Sequence, residues 1–381
     1  MTDASLPPPP ASNDEQEKAG NVFSKYYSQL SHQQNMLTDA VRTRTYRRAM
    51  FDNASDFRGS TVVDVGAGSG ILCFFAAQAG AEKVWGVEMS DIAVQARKLV
   101  EHNGLQERIS IVKGKVEEVS LEGAEGKVDI IVSEPLGFAL VHERMLESYI
   151  VGRDRFLKPG GKMFPTDGTI FTAPFTDEGL YDETYNKVHF WTEQDFLGVD
   201  VSCMHAQALG EAFSQPVVGY FNPSILLSAD RAKYRFDFRT CTVEELKNFE
   251  IPFSHVITRT AVCHGIACWF DCDFIGSAAT VTLRTGPEAP GTHWYQCRML
   301  LQEPVAVNKG QTLKGSLKFD ANDSFSYDVR VTLEVPGTTP TVRSVNMIYM
   351  QDQCYHYLYA EESAVDSQGM GHVKGNESQY T

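Results

Sequence analysis

No apolar run in these 381 residues approaches the roughly 20 that a membrane-spanning helix requires, and no membrane partner is expected. The first twenty residues, MTDASLPPPPASNDEQEKAG, hold neither a basic segment followed by an apolar core nor an arginine-rich pattern. A secretory signal and a transit peptide are excluded there, and residues 1–20 read as a flexible, disordered tail. Positive charge is scarce: 34 Lys and Arg stand against 49 Asp and Glu, giving a net charge of −15. Without a basic footprint no direct nucleic-acid binding is expected, and a cationic partner fits better. None of the eight cysteines belongs to a CxxC pair, which points to reduced thiols in a cytosolic or nuclear compartment. Cys263, His264, Cys268 and Cys272 have spacings that suit no common zinc site. They read as small core residues of the strand-like AVCHGIACWFDCDFIG, and no metal is expected.

What is present is the alternation of an α/β protein followed by the grammar of an all-β one. The length favours two domains. Phe23 to Asn53 has neither glycine nor proline and reads as one or two helices. From Thr61 to Met163, strands alternate with helices, which predicts a doubly wound parallel sheet. After Pro165, short β-branched and aromatic runs separated by GPEAPG and NKG predict an antiparallel sandwich or barrel. A helical arm interrupts it at about 174–204, carrying Tyr181, Tyr185, Phe190, Trp191 and Phe196. Such apolar surface predicts a dimer contact. The expected domains are 21–164 with the nucleotide-type fold, 165–340 with the barrel, and a largely disordered extension over 341–381.

The loop DVGAGSG puts Gly66, Gly68 and Gly70 directly between an apolar strand and a helix. Glycines there allow a tight turn and close backbone approach to a ligand at the helix N-terminus. Ile71 fills the last position of a dinucleotide fingerprint, which disfavours nicotinamide cofactors. Glu88 ends the next strand, where a carboxylate accepts hydrogen bonds from both hydroxyls of a ribose. An adenosine-type ligand is therefore expected. The loop from Asp64 through Ser69, with Glu88, is similar to the cofactor motif of class I S-adenosylmethionine methyltransferases. An arginine fork suits the carboxylate at the amino-acid end of such a cofactor, and Arg42 can supply it.

In VDIIVSEPLGFALVHERMLESYI a strand that reads as fully buried ends in Glu134, and Glu143 returns nine residues later. Two carboxylates converging on one pocket repel, and one takes up a proton unless a cation lies between them. A guanidinium meets that need. Held by paired carboxylates, its charge is drawn to one side and a remaining nitrogen is left as the nucleophile. A neutral-amine pocket would instead carry an Asn/Asp-Pro-Pro-aromatic turn.

SEPLGFALVHERMLESY resembles the double-glutamate loop of the protein arginine methyltransferases, and GTHWYQ at Gly291 to Gln296 resembles their Thr-His-Trp loop. LSHQQNMLTDAVRTRTYRRAM, GKVEEVSLE, KMFPT, APFTDEGLYDE, FWTEQDFLGVDVS and HGIACWFDCDFIGS are most similar to the coactivator-associated (histone) arginine methyltransferase branch. The resemblance implies Met36, Arg42, Gly66, Gly68, Glu88, Glu117 and Ser148 around S-adenosylmethionine, with Glu117 near the adenine. It implies Glu134 and Glu143 as the arginine clamp, Met145 shaping the acceptor pocket, Asp39 with His293 as a proton route, and Tyr27 and Trp294 bordering the substrate. The family's turn usually reads Gly-Tyr-Met with Asn before the second glutamate, where this chain has Phe138, Ala139 and His142.

The resemblance further implies a type I enzyme giving monomethyl and asymmetric dimethylarginine in histones, RNA-binding or transcription proteins. It also implies a ring-like homodimer through the arm and a place in nucleus and cytoplasm. The alternatives are an S-adenosylmethionine-binding scaffold or weakly active paralogue, and a small-molecule or RNA methyltransferase. The last would better suit a neutral-amine pocket or a basic groove.

Overall fold

Thr61–Val65 (β1) is β-branched except at Asp64 and buried on both faces, as a central parallel strand must be. The structure, a computed structural model, describes residues 24–356, so the tail expected at 1–20 lies outside them. Two helices, Leu30–Thr38 (α1) and Ala40–Asp52 (α2), precede β1 and meet at Asp39, whose side chain caps α2 by accepting from Arg42 N. After β1 come Ile71–Ala79 (α3), Lys83–Glu88 (β2), Ile92–His102 (α4), Ile109–Lys113 (β3), Val128–Ser133 (β4), Met145–Phe156 (α5) and Leu157–Phe164 (β5). The five strands are parallel, in the order β3-β2-β1-β4-β5. The chain winds one way from β1 and the other way from β4, so the crevice beyond their carboxyl ends is the switch point where an open α/β sheet binds its ligand. The glycine loop leaves β1 at that crevice and Glu134 leaves β4 there.

The second domain is built from Asp167–Phe175 (β6), Val217–Gly219 (β7), Ala232–Asp237 (β8), Asn248–Val256 (β9), Ala261–Ile275 (β10), Thr280–Arg284 (β11), Gln296–Val307 (β12), Thr312–Ala321 (β13), Tyr327–Val335 (β14), Val342–Tyr349 (β15) and Cys354–Tyr355 (β16). One sheet runs β16-β7-β12-β10-β6-β8 with β11 on β10, and the other runs β15-β14-β13-β9. Strict in-out alternation along β9 and edge-on packing of Phe236 in β8 against Phe249 in β9, ring centroids 5.0 Å apart, show the sheets closing over a shared core. Cys263, Cys268 and Cys272 are buried in β10 as core residues.

Two expectations need correction. Residues 342–356 are ordered, whereas 341–381 was expected to be largely disordered; residues 357–381 lie outside the described part. β15 hides from pattern reading because polar residues face inward. Ser344 Oγ donates to Glu303 O, and Asn346 Nδ2 donates to Leu300 O and Phe213 O, joining the two sheets at that edge. The arm also runs past 204: Glu178–Asn186 (α6) is followed by short turns and by His205–Phe213 (α7). Tyr185, Phe190, Phe196 and Val199 are exposed on it and Leu197 is 90% exposed, while Tyr181 and Trp191 are half-buried.

Candidate active site

The first half of the site is made by backbone. Gly66, Gly68 and Gly70 have φ of 69°, 54° and 85°, a region in which side chains are strained. A Cβ on Gly66 would lie 2.0 Å from Met145 Cε and one on Gly68 2.9 Å from Gln33 Oε1. Gly68 N donates to Glu88 Oε2 at 2.8 Å and Ser90 N to Glu88 Oε1 at 2.7 Å, fixing this buried carboxylate at the end of β2 beside the loop. Each oxygen keeps a further lone pair for a hydroxyl. Asp64 is fully buried; its Oδ2 accepts from Cys73 Sγ at 3.1 Å, while its Oδ1 has no partner within the described residues. Burial pushes the Asp64 carboxyl up to about 7. Ser148 Oγ donates to Glu117 Oε1 at 2.7 Å, bringing two further predicted residues together.

Gln33 lies in LSHQQNMLTDAVRTRTYRRAM but is not among the site residues read from the sequence. Buried in α1, it accepts from Ser69 N at 3.0 Å and donates to Tyr27 O at 3.0 Å, so the N-terminal helix is latched onto the glycine loop. The one sequence signal is a glutamine placed between Tyr27 and Met36 on a helix that ends at the site. Met36 is half-buried, and its carbonyl accepts a long bond from Arg42 Nη1 at 3.4 Å. Glycines without room for a side chain, a fixed carboxylate beside them and an orphaned buried oxygen suit a neutral ribose and a cationic amine better than a pyrophosphate.

The second half is a turn of side chains. Ser133, at the end of β4, is tied to Val65 O at 2.6 Å, and Glu134 follows it into the crevice. Arg42 is buried and directs both Nε and Nη2 at Glu134 Oε2, at 3.0 and 2.7 Å. Arg42, expected at a cofactor carboxylate, has Glu134 as an internal partner as well. From Gly137 the chain turns back on itself, with Ala139, Leu140, Glu143 and Arg144 all at positive φ. Four such non-glycine residues survive only where surrounding contacts over-determine them. Glu143 Oε2 accepts from Tyr27 Oη at 2.7 Å. Burial raises the Glu143 carboxyl to about 7; the Tyr27 hydrogen bond works against that shift and the nearby Glu134 charge adds to it. Burial and Glu143 push the Tyr27 phenol well above its ordinary value.

His293 and Asp39 form the expected pair: Asp39 Oδ2 accepts from His293 N at 2.9 Å and lies 2.8 Å from His293 Nδ1. Burial works to raise the Asp39 carboxyl, but hydrogen bonds from His293 and Arg42 outweigh it and hold the group below its usual value. Trp294 is buried, its Nε1 donates to Leu136 O at 2.8 Å, and its ring packs edge-on against Phe270. It thereby braces the turn between Glu134 and Glu143. Met145 lies across Gly66, between the glycine loop and the turn. Among the described residues no group of three or more His, Cys, Asp or Glu could hold a metal.

Residues 166–337 match the arginine methyltransferase oligomerization subdomain and residues 62–161 a methyltransferase domain. The histone-arginine methyltransferases CARMER of Drosophila persimilis and Drosophila willistoni are 45% identical over 349 residues, 92% of this chain. This chain spans 64% of the length of those relatives. The Trypanosoma brucei PRMT1 enzyme-prozyme heterotetrameric complex with AdoHcy has a similar chain, 33% identical, with a TM-score of 0.75 over 85% of this chain and 99% of that one. Arabidopsis thaliana protein arginine methyltransferase 10, solved in an open conformation, is 29% identical with a TM-score of 0.77 over 86% of this chain and 100% of that one. On sequence, fold and the geometry of the two glutamates, the chain belongs to the protein arginine methyltransferase family.

Proposed function

We propose that this protein methylates arginine in proteins, histones and RNA-binding or transcription proteins among them, using S-adenosylmethionine and giving monomethyl and asymmetric dimethylarginine. The observation that carries the reading is the pair of largely buried carboxylates at the two ends of one strained turn, one of them already gripping a guanidinium, that of Arg42. When bound, S-adenosylmethionine supplies a methyl group on a sulfonium. Glu88 would hold its ribose, Glu117 and Ser148 its adenine, and Asp64 and Arg42 the two ends of its amino acid.

Glu134 and Glu143 would clamp the substrate guanidinium, drawing charge toward the nitrogens they hold and leaving another nitrogen free to attack. The pKa of an arginine side chain, about 12.5–13.8, means that the substrate arrives as a cation. That cation favours the ionised form of Glu143, countering the burial that keeps it near 7 in the free protein. Once the new carbon–nitrogen bond forms, the extra proton must leave, and His293, held by Asp39, would accept it. Turnover on arginine-rich peptides, measured beside RNA and free amines, tests the acceptor class. Methylation of RNA or amines alone would overturn the reading.

A second reading, a cofactor-binding scaffold or weakly active paralogue, draws on the internal partners that both carboxylates possess, Arg42 and Tyr27. Absence of turnover with intact cofactor binding would favour it. The arm supports a homodimer: its exposed Phe190, Phe196 and Leu197 face water in a single copy, as do Leu30, Met89 and Val94 of the first domain. Deleting 177–196 should give a monomer with weak activity by light scattering and turnover; an unchanged dimer would rule the arm out as the dimer contact. Nucleus and cytoplasm are the proposed location, to be checked by imaging the tagged protein.

A further inference from the structure

Glu143 and Arg144 are consecutive non-glycine residues at φ 71° and 56°, so the carboxylate that completes the clamp hangs from strained backbone. Something rigid must hold it. The side chain of Glu143 has its own partner in Tyr27, but the backbone around it is fixed through its two neighbours, and both reach the same place. Arg144 Nη1 donates to Asn322 O at 2.6 Å, and His142 Nδ1 lies 3.0 Å from Ser326 Oγ, with His142 buried and Ser326 fully so.

The loop they reach, between β13 and β14, is itself braced. Asn322 Oδ1 accepts from Ser324 N and Ser326 N, each at 3.1 Å, while Asn322 Nδ2 donates to Asp328 Oδ1 at 2.8 Å and Gln351 Oε1 at 2.9 Å. On the near side, the His142 ring packs on Phe138 with centroids 4.1 Å apart. Phe138 and His142 are two of the positions at which the turn departs from the family's usual residues. They are in contact with each other, and one of them spans the domain boundary.

We propose that His142 and Ser326 form a tether by which the barrel sets the position of Glu143, making them a positioning pair for the arginine methylation proposed above, on which this inference rests. The tether explains how a turn with altered residues keeps its second carboxylate in register. It also makes the loop at 322–326 part of the active-site architecture, although no atom of that loop need touch the substrate.

The test uses the full chain with Ser326→Ala, His142→Phe and His142→Asn. The first two lose the hydrogen bond, H142F while keeping the ring contact with Phe138; H142N keeps an amide near the Nδ1 position and loses the ring. S326A and H142F should lower kcat on an arginine-rich peptide by about 10- to 100-fold, with S-adenosylmethionine affinity and melting temperature near those of the parent. H142N should recover much of the rate lost in H142F. The double variant S326A/H142F should be no slower than either single one, because both remove the same interaction. Parental kcat in S326A, or additive losses in the double variant, would overturn the tether.

Amide hydrogen exchange over residues 137–144 separates this from failure of the functional reading. Faster exchange in S326A, with no arginine methylation even by the parent, supports the tether and sinks the proposed reaction. Methylation by the parent, with exchange and kcat both unchanged in S326A, sinks the tether alone.

Discussion

The two halves of the active site are built by different means. The cofactor half, from Asp64 to Glu88, is a contiguous strand–loop–helix–strand in which backbone amides hold the acidic group and glycine φ values shape the loop. The acceptor half hangs on a turn of strained non-glycine residues, steadied by Tyr27 from the N-terminus, Trp294 from the barrel, and the loop at 322–326. A site made of local backbone tolerates distant change. A site made of remote side chains is exposed to every segment that supports it.

The largest effect should come from the acceptor half. Glu143→Gln removes the second carboxylate without changing shape, and kcat should fall by about 10³-fold, within the range for removing a positioned charged group. Cofactor affinity, measured by calorimetry, should stay nearly intact. Near-normal turnover would dissolve the distinction between the two halves.

Gly68→Ala should strike the other half. A methyl at φ 54°, 2.9 Å from Gln33 Oε1, forces either the loop or α1 to move. S-adenosylmethionine affinity should weaken by about tenfold or more, a cost of roughly 1–2 kcal/mol for a left-handed non-glycine residue. If the same variant spares affinity and lowers only kcat, the loop is not the cofactor cradle.

Trp294→Phe keeps most of the packing and loses the bond to Leu136 O. An unmet buried carbonyl costs about 1–3 kcal/mol, and the expected result is a several-fold loss of kcat with a slightly lower melting temperature. No change in either would mean that the turn does not depend on this support.

The smallest effect is on pH dependence. The folded-state pKa of Glu143, about 7, lies above its ordinary value of 4.5. As pH rises between those values, the unfolded chain releases a proton that the folded chain retains, so this group makes folding less favourable across that window. Asp64, also raised to about 7, acts in the same direction. Glu143→Gln should therefore raise the melting temperature relative to the parent at pH 7–8, with the difference shrinking toward pH 5. An equal difference at both pH values would show that the group is not buried as described.

Much of this architecture was legible in the sequence because it is local. The strands β1 and β4 are largely apolar runs, Gly66, Gly68 and Gly70 fall together at positive φ in the loop after β1, and Glu134 stands where a buried strand should not end in charge. What was not legible depends on chain segments meeting in space. Arg42 lies 92 residues from the Glu134 that it grips, and Gln33 lies 36 from the Ser69 amide that it accepts. Trp294 belongs to a recognisable loop, yet only the fold shows that its Nε1 braces the turn by donating to Leu136 O, 158 residues away. β15 misled because Ser344 and Asn346 point inward to meet backbone carbonyls, inverting the pattern on which strand reading relies.

The most direct test of the paired-carboxylate clamp is mass spectrometry of histone H3 and an arginine-rich peptide after incubation with S-adenosylmethionine and either the parent protein or Glu143→Gln, resolving asymmetric from symmetric dimethylarginine. The clamp predicts monomethyl and asymmetric dimethylarginine from the parent and neither from the variant. Equal product from both proteins, or cofactor binding by the parent with no methylated arginine on either substrate, would contradict it.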